Sequence, residues 1–140
     1  MGRRPLIVDA GPLYALFDAD DPDHLASREL LETHAGPLIV PMLVVAEVAY
    51  LMSLRLASAA EIEFLGDLAS GKYIPEPVGA ADWLRIAELV ARYDDLPLGT
   101  VDASLVAAAE RLDTTTIASL DRRHLSAVVP RHASGFELLP

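Results

Sequence analysis

Apolar positions recur along the chain in two kinds of run. Pro5-Leu6-Ile7-Val8, Leu38-Ile39-Val40 and the β-branched Thr114 to Ala118 are short, end in turn residues and have the length of buried strands. Between them lie longer stretches with helical spacing. Ala10-Gly11-Pro12 opens a helix through Leu13-Tyr14-Ala15-Leu16-Phe17, and the acidic turn Asp18 to Asp23 leads into a second, from about His24 to His34, with Leu25, Leu30 and Leu31 on one face. Gly36-Pro37 stops it. A long apolar helix from Met42 to Leu56 follows the second strand and contains one acid, Glu47. Ser58 is placed to cap a fourth helix, Ala59 to Ala69, with Glu61 at its third position and Gly71 at its end. Lys72 to Pro75 predicts a short strand, and Ala80 to Tyr93 a helix with Trp83, Ile86, Ala87 and Val90 inward. After the breakers Pro97 and Gly99, the alanine-rich segment Thr100 to Leu112 predicts another helix, and Phe136 to Leu139 a last edge strand.

Short apolar strands alternating with helices predict an α/β fold, a three-layer sandwich with a central, mostly parallel sheet flanked by helices. In such sheets the functional crevice lies beyond the carboxyl ends of the strands, where strand order reverses. A length of 140 residues and an apolar share of 52% suit one domain, spanning residues 1–140, with one core. No apolar run approaches the ~20 residues needed to span a bilayer. The basic start Met1-Gly2-Arg3-Arg4 is followed only by Leu6-Ile7-Val8 before Asp9, too short for a secretory core, so the expected location is cytoplasmic, with no membrane partner. With no cysteine, thiol chemistry and zinc fingers are excluded, and any metal must bind oxygen or histidine.

That requirement directs attention to the acids that follow the strands. Asp9 follows the first strand, Glu47 sits in the helix after the second, Asp102 lies in the first turn of the alanine-rich helix, and Asp121 follows Thr114 to Ala118. Each has a structural reading: Asp9 and Asp121 as helix N-caps, Asp102 as a first-turn acid favoured by the helix dipole. For Glu47, periodicity leaves open a solvent stripe with Tyr50 and Leu54 or a carboxylate that needs a partner among apolar neighbours. If the four converge, two carboxylates ~4 Å apart repel by ~4 kcal/mol at an effective dielectric near 20. Mg²⁺, or Mn²⁺, is the hard, oxygen-seeking ion that would relieve this, and phosphodiester hydrolysis is the chemistry such a centre supports.

The run Leu6-Ile7-Val8-Asp9-Ala10-Gly11-Pro12, the Glu47 helix, Val101-Asp102-Ala103-Ser104 and Ser119-Leu120-Asp121-Arg122-Arg123-His124-Leu125 together resemble PIN-domain proteins of the VapC toxin family. Order and spacing match over essentially the whole chain. The resemblance implies a metal-dependent endoribonuclease, the toxin of a bacterial toxin–antitoxin pair. Asp9, Glu47, Asp102 and Asp121 would form its metal site and activate water to cut RNA, leaving 3′-hydroxyl and 5′-phosphate ends. It further implies a homodimer silenced by a cognate antitoxin, whose groove is expected along Met42 to Leu56 and Ile62 to Leu68. Ser119 stands where many relatives carry threonine and keeps the hydroxyl. Ser119, Arg122 and Arg123 are candidate RNA contacts, Arg122 to His124 matching the family's basic segment, with a solvated turn as the alternative. A housekeeping nuclease of the same fold and a catalytically silent, protein-binding PIN-like domain are the competing readings.

A formal net charge of −10 opposes broad, non-specific binding of a polyanion, an objection that weakens where bound cations invert the local field. Gly66 to Lys72 matches the first positions of a phosphate-binding loop, but Tyr73 stands where a hydroxyl is needed and the helix precedes the glycines, so the segment reads as a helix terminator. Lys72 precedes a strand, against a phospho-acceptor receiver domain. No Gly-x-Ser-x-Gly elbow exists for a serine hydrolase. His24, His34 and His132 lack ligand spacing and are expected at the surface.

Overall fold

The computed structural model describes residues 3–140, so the first two residues of the basic start lie outside it. The central strand β1 (Leu6–Val8) is buried at every position, as expected of a strand covered on both faces. Its neighbours are β2 (Leu38–Pro41) on one side and β4 (Thr116–Ala118) on the other; β3 (Ile74–Glu76) and β5 (Glu137–Leu139) form the edges, giving the order β3-β2-β1-β4-β5. All four pairings are parallel, with Ile7 beside both Ile39 and Ile117. The sheet is therefore entirely parallel, and Phe136 to Leu139, expected as an edge strand, joins it in that sense. Successive strands step outward from β1 to β3, and the chain then returns to place β4 beside β1. That reversal puts the switch point between β1 and β4.

Seven helices connect these strands: α1 (Ala10–Phe17), α2 (His24–Thr33), α3 (Met42–Arg55), α4 (Ser58–Ser70), α5 (Ala80–Arg92), α6 (Thr100–Arg111) and the single turn α7 (Arg122–Leu125). Helix α1 packs against both α2 and α3, and α3 against α4, whereas α5 and α6 pack together and α6 lies against β1, β2 and β4. Helix α6 is buried at seven consecutive positions, Ala103 to Ala109. Its alanines allow close approach to the sheet, while Leu13, Met52, Phe64 and Leu105, all with 0% exposure, supply the bulk of the core. Burying each of these large side chains stabilises the fold by about 1.5–3 kcal/mol.

The inward faces of two helices differ from the sequence reading. In α2 the buried positions are Ser27 and Leu31, and Leu25 is 75% exposed. In α5 they are Asp82, Ile86 and Leu89, while Trp83 is 47% exposed and Ala87 also faces solvent. A polar residue occupies the inward stripe in both, so periodicity of apolar residues alone rotates the helix wrongly. Asp82 tolerates burial because the Arg111 guanidinium donates to both its oxygens, at 3.1 and 3.2 Å. Ser58 does not cap α4. The helix begins at Ser58 itself, with Ala57 at the cap position and no side-chain cap bond, so Ser58 and Glu61 lose the capping-box spacing. The terminator reading of Gly66 to Lys72 agrees with the structure, since Gly71 ends α4 at φ 84°, in the left-handed region. Gly36 serves a different need: a Cβ there would lie 2.0 Å from the Arg4 carbonyl oxygen, so only glycine fits against the strand entering β1.

Candidate functional site

Asp9 leaves the end of β1 and N-caps α1, its Oδ1 accepting the Ala10 N–H at 2.7 Å. Its Oδ2 accepts the Ser119 hydroxyl at 2.9 Å, across 110 residues of sequence. The same Ser119 oxygen accepts the Asp121 backbone N–H at 3.1 Å, so one buried hydroxyl ties the ends of β1 and β4 together. Asp121 then N-caps α7, accepting the His124 backbone N–H at Oδ1 and lying 2.7 Å from His124 Nδ1 at Oδ2. Both cap readings of the sequence are therefore correct as local geometry. They do not compete with a site, because the caps are what aim these carboxylates past the strand ends.

Asp102, in the first turn of α6, and Glu47, on α3, complete the group. All four acids line one cavity of about 370 Å³ with Ala10, Gly11, Leu51 and Leu120. Gly11 makes room for this wall: a Cβ there would press on the Leu120 side chain at 3.3 Å. Glu47 is exposed along with Tyr50 and Leu54, so the solvent-stripe reading holds, yet the same side chain borders the cavity mouth.

The cavity is electrostatically unbalanced. Burial raises the proton affinity of Asp9, more than the hydrogen bonds from Ala10 and Ser119 lower it, and the charge of Asp121 adds to the rise. Burial, then the charges of Asp9 and Asp102, raises that of Glu47. Asp102 is pushed up to about 6 by burial and by Asp9 and Asp121, with only His124 and the Gly99 backbone opposing. Among the described residues no arginine or lysine pairs with any of the four acids, whose one partner of basic type is His124 beside Asp121, although six ion pairs form elsewhere. Carboxylates gathered without a cation are stabilised by a divalent ion, and an all-oxygen set of this kind suits a hard one.

The remaining candidates separate. Ser119 has 0% exposure, so it serves the acids and cannot contact RNA as expected; its hydroxyl is needed inside, between two chain ends. Arg122 donates to the Leu138 and Pro140 carbonyls and thereby fastens α7 to β5. Arg123 is exposed and makes no side-chain hydrogen bond or ion pair among the described residues. His24, His34 and His132 each reach a backbone carbonyl, of Ala15, Arg4 and Thr114, and are partly buried rather than free at the surface. His124 is the residue that sequence reasoning missed. Its signal was the Asp121-x-x-His124 spacing, which puts both side chains on one face of a helical turn. A second, larger cleft of about 980 Å³ holds none of the four acids and runs between Leu16, Phe17 and Arg28 on one side and Leu56, Ile62 and Glu63 on the other. No helix among the described residues is long and apolar enough to cross a membrane.

Residues 6–129 match the PIN domain family. Ribonuclease VapC26 of Mycobacterium tuberculosis is 40% identical over 135 residues, covering 96% of this chain and 100% of that protein. Among solved structures, VapC20 of M. tuberculosis, described as a sarcin-ricin loop cleaving toxin, superposes with a TM-score of 0.77 at 22% identity, over 83% of this chain and 89% of its own. VapBC2 from Rickettsia felis, bound to a DNA fragment from its promoter, gives a TM-score of 0.69 at 12% identity, over 97% and 99%. FitAcB from Neisseria gonorrhoeae gives 0.55 at 18%, over 85% and 89%. At these identities the structural likeness is one of fold.

Proposed function

Because the chain belongs to the PIN-domain family, and to its VapC branch, we propose that it is an endoribonuclease toxin that hydrolyses RNA phosphodiester bonds with the help of a divalent cation. The observation that carries this reading is the convergence of Asp9, Glu47, Asp102 and Asp121 on one cavity with no arginine or lysine paired to them among the described residues. These four residues would hold the ion, with Mg²⁺ the expected occupant and Mn²⁺ able to replace it. When bound there, such an ion engages phosphate oxygens, acidifies water and offsets charge at phosphorus. The chain's own part is preorganisation. Asp9 is held by Ala10 and Ser119, and Asp121 by Ser119 and the His124 backbone, so neither carboxylate has to be ordered when substrate arrives. Leu51 and Leu120 wall the cavity with apolar surface and limit water beside the acids. Arg123, exposed and without a side-chain partner among the described residues, is the phosphate contact we assign.

An antitoxin is the partner this reading requires. Met42, Tyr50 and Leu54 on α3 and Ile62 and Leu65 on α4 are 43–66% exposed, apolar surface that supports a protein partner, either the antitoxin or a second copy in a homodimer. The whole chain would act as one catalytic domain. The deciding experiment is cleavage of a mixed RNA substrate by the purified chain. We expect activity with Mg²⁺, none with a chelator, and loss of at least about a thousandfold in Asp9→Asn. Chelator-resistant cleavage, or an Asp9→Asn variant as active as the parent, overturns the proposal.

A further inference from the structure

Three of the four histidines in the chain are tied to backbone carbonyls, and only His124 faces carboxylates. Ligand atoms of Asp102, Asp121 and His124 all lie within 4.8 Å of one another. The ring nitrogen nearest Asp121 is 2.7 Å from its Oδ2. Two donors at right angles around an octahedral ion, each ~2.1 Å from it, stand ~3 Å apart, so the pair needs only a small opening to share one.

The ring is also held in place. Asp121 caps the turn that carries it, Leu125 on that turn has 0% exposure, and Arg122 pins the same turn to the carbonyls of Leu138 and Pro140. Positioning of Asp121 does not require the imidazole, because the His124 backbone N–H already holds Oδ1 and the Asp121 N–H already reaches Ser119. Asp121 therefore keeps two other anchors if the imidazole nitrogen, now 2.7 Å from Oδ2, turns to an ion.

We propose that His124 is a nitrogen ligand of the ion in this cleft, joining Asp102 and Asp121, and that it tilts the preferred ion from Mg²⁺ towards Mn²⁺. The inference rests on the reading of the cleft as a divalent-cation centre. Its chemical basis is ligand type: Mg²⁺ is served by carboxylates and water, whereas imidazole adds affinity for the transition ions. A protein with four carboxylates alone would gain little from exchanging the ion; one with a ring nitrogen added would gain from it.

Mn²⁺ itself is the probe. Pulsed electron paramagnetic resonance of the wild-type chain loaded with one equivalent of Mn²⁺ is expected to show coupling to a protein nitrogen, and that coupling should vanish in His124→Gln, which keeps a hydrogen-bond donor near Asp121. Calorimetric titration should show Mn²⁺ binding weakened by about tenfold or more in His124→Gln and Mg²⁺ binding changed by less than about threefold. Bound Mn²⁺ without nitrogen coupling in the wild-type chain overturns the proposal while leaving the metal centre intact, and needs no variant to fold. Equal weakening of both ions overturns it too, assigning His124 to orientation of Asp121. Failure of the wild-type chain to bind either ion removes the metal centre and the proposal together.

Discussion

At the scale of single residues, Ser119 does more than any one acid to build the cleft. Its hydroxyl donates to Asp9 and accepts from the Asp121 backbone while wholly shielded from water. Ser119→Ala leaves the part-buried Asp121 N–H unpaired and removes a donor that steadies a buried carboxylate, and we expect a stability loss of about 1–3 kcal/mol, read by urea denaturation. Cleavage should fall with it, and Ser119→Thr, which retains the hydroxyl, should be milder on both counts. The two adjacent arginines should part company. Arg123→Ala is expected to lower the salt dependence of RNA affinity by about 0.7 in log–log slope, one phosphate contact on a single strand, without changing the thermal midpoint. Arg122→Ala should lower the midpoint instead, because its guanidinium is engaged with the chain's own carbonyls. Asp9, Asp102 and Asp121 were legible as candidates from their places after strand ends or in a first helical turn, whereas periodicity left Glu47, in the second turn of α3, open and only the resemblance joined it to the others. Ser119 was misread as a surface contact because a serine beside an acid looks alike whether its hydroxyl faces inward or outward; only the β1–β4 pairing decides.

At the scale of elements, most of the order of strands and helices follows from the spacing of apolar residues, and the two faces read wrongly, on α2 and α5, are those where Ser27 and Asp82 take inward positions. The α5–α6 contact shows why such polar positions persist. Arg85 on α5 donates to both oxygens of Glu110 on α6 at 2.8 Å, with the two side chains only 12% and 10% exposed. Glu110 is held below the usual range by Arg85 and Arg131 despite its burial, and no apolar periodicity reports such a pair. Arg85→Ala should cost about 2–3 kcal/mol by leaving Glu110 shielded and without its main partner, and Arg85→Leu combined with Glu110→Leu should recover much of that loss. Paired denaturation curves in a double-mutant cycle measure both. The extent of the turn α7 was not foreseen, because four residues are too few for a periodic signal, although its cap, Asp121, was open to that reading from the sequence.

At the scale of the whole molecule, the acidic cleft sets stability against function. Asp102 titrates near 6 in the folded, ion-free chain against 3.8 for the ordinary side chain, so between those values the folded state holds more protons than the unfolded one. The ion-free protein should therefore lose stability as pH rises from about 4 to about 6, by about 1 kcal/mol after allowance for solvent screening, and remain at the lower value above that window. Asp102→Asn should reduce this slope, leaving the part due to Asp9 and Glu47, and raise the thermal midpoint of the chelator-treated chain by about 3 °C at neutral pH, while abolishing cleavage. Saturating Mg²⁺ should restore the wild type, adding about 2.7 kcal/mol at a hundredfold excess over its dissociation constant. Scanning calorimetry with and without chelator tests all three, and a variant less stable than the parent in chelator would contradict the sign. The central place of β1, with partners separated from it by some thirty residues on one side and over a hundred on the other, has a temporal side as well. Asp9 cannot meet Ser119 and Asp121 until at least 110 further residues have been made. The acidic cleft is thus completed late, after the segments that carry the exposed apolar surface of α3 and α4 have been made.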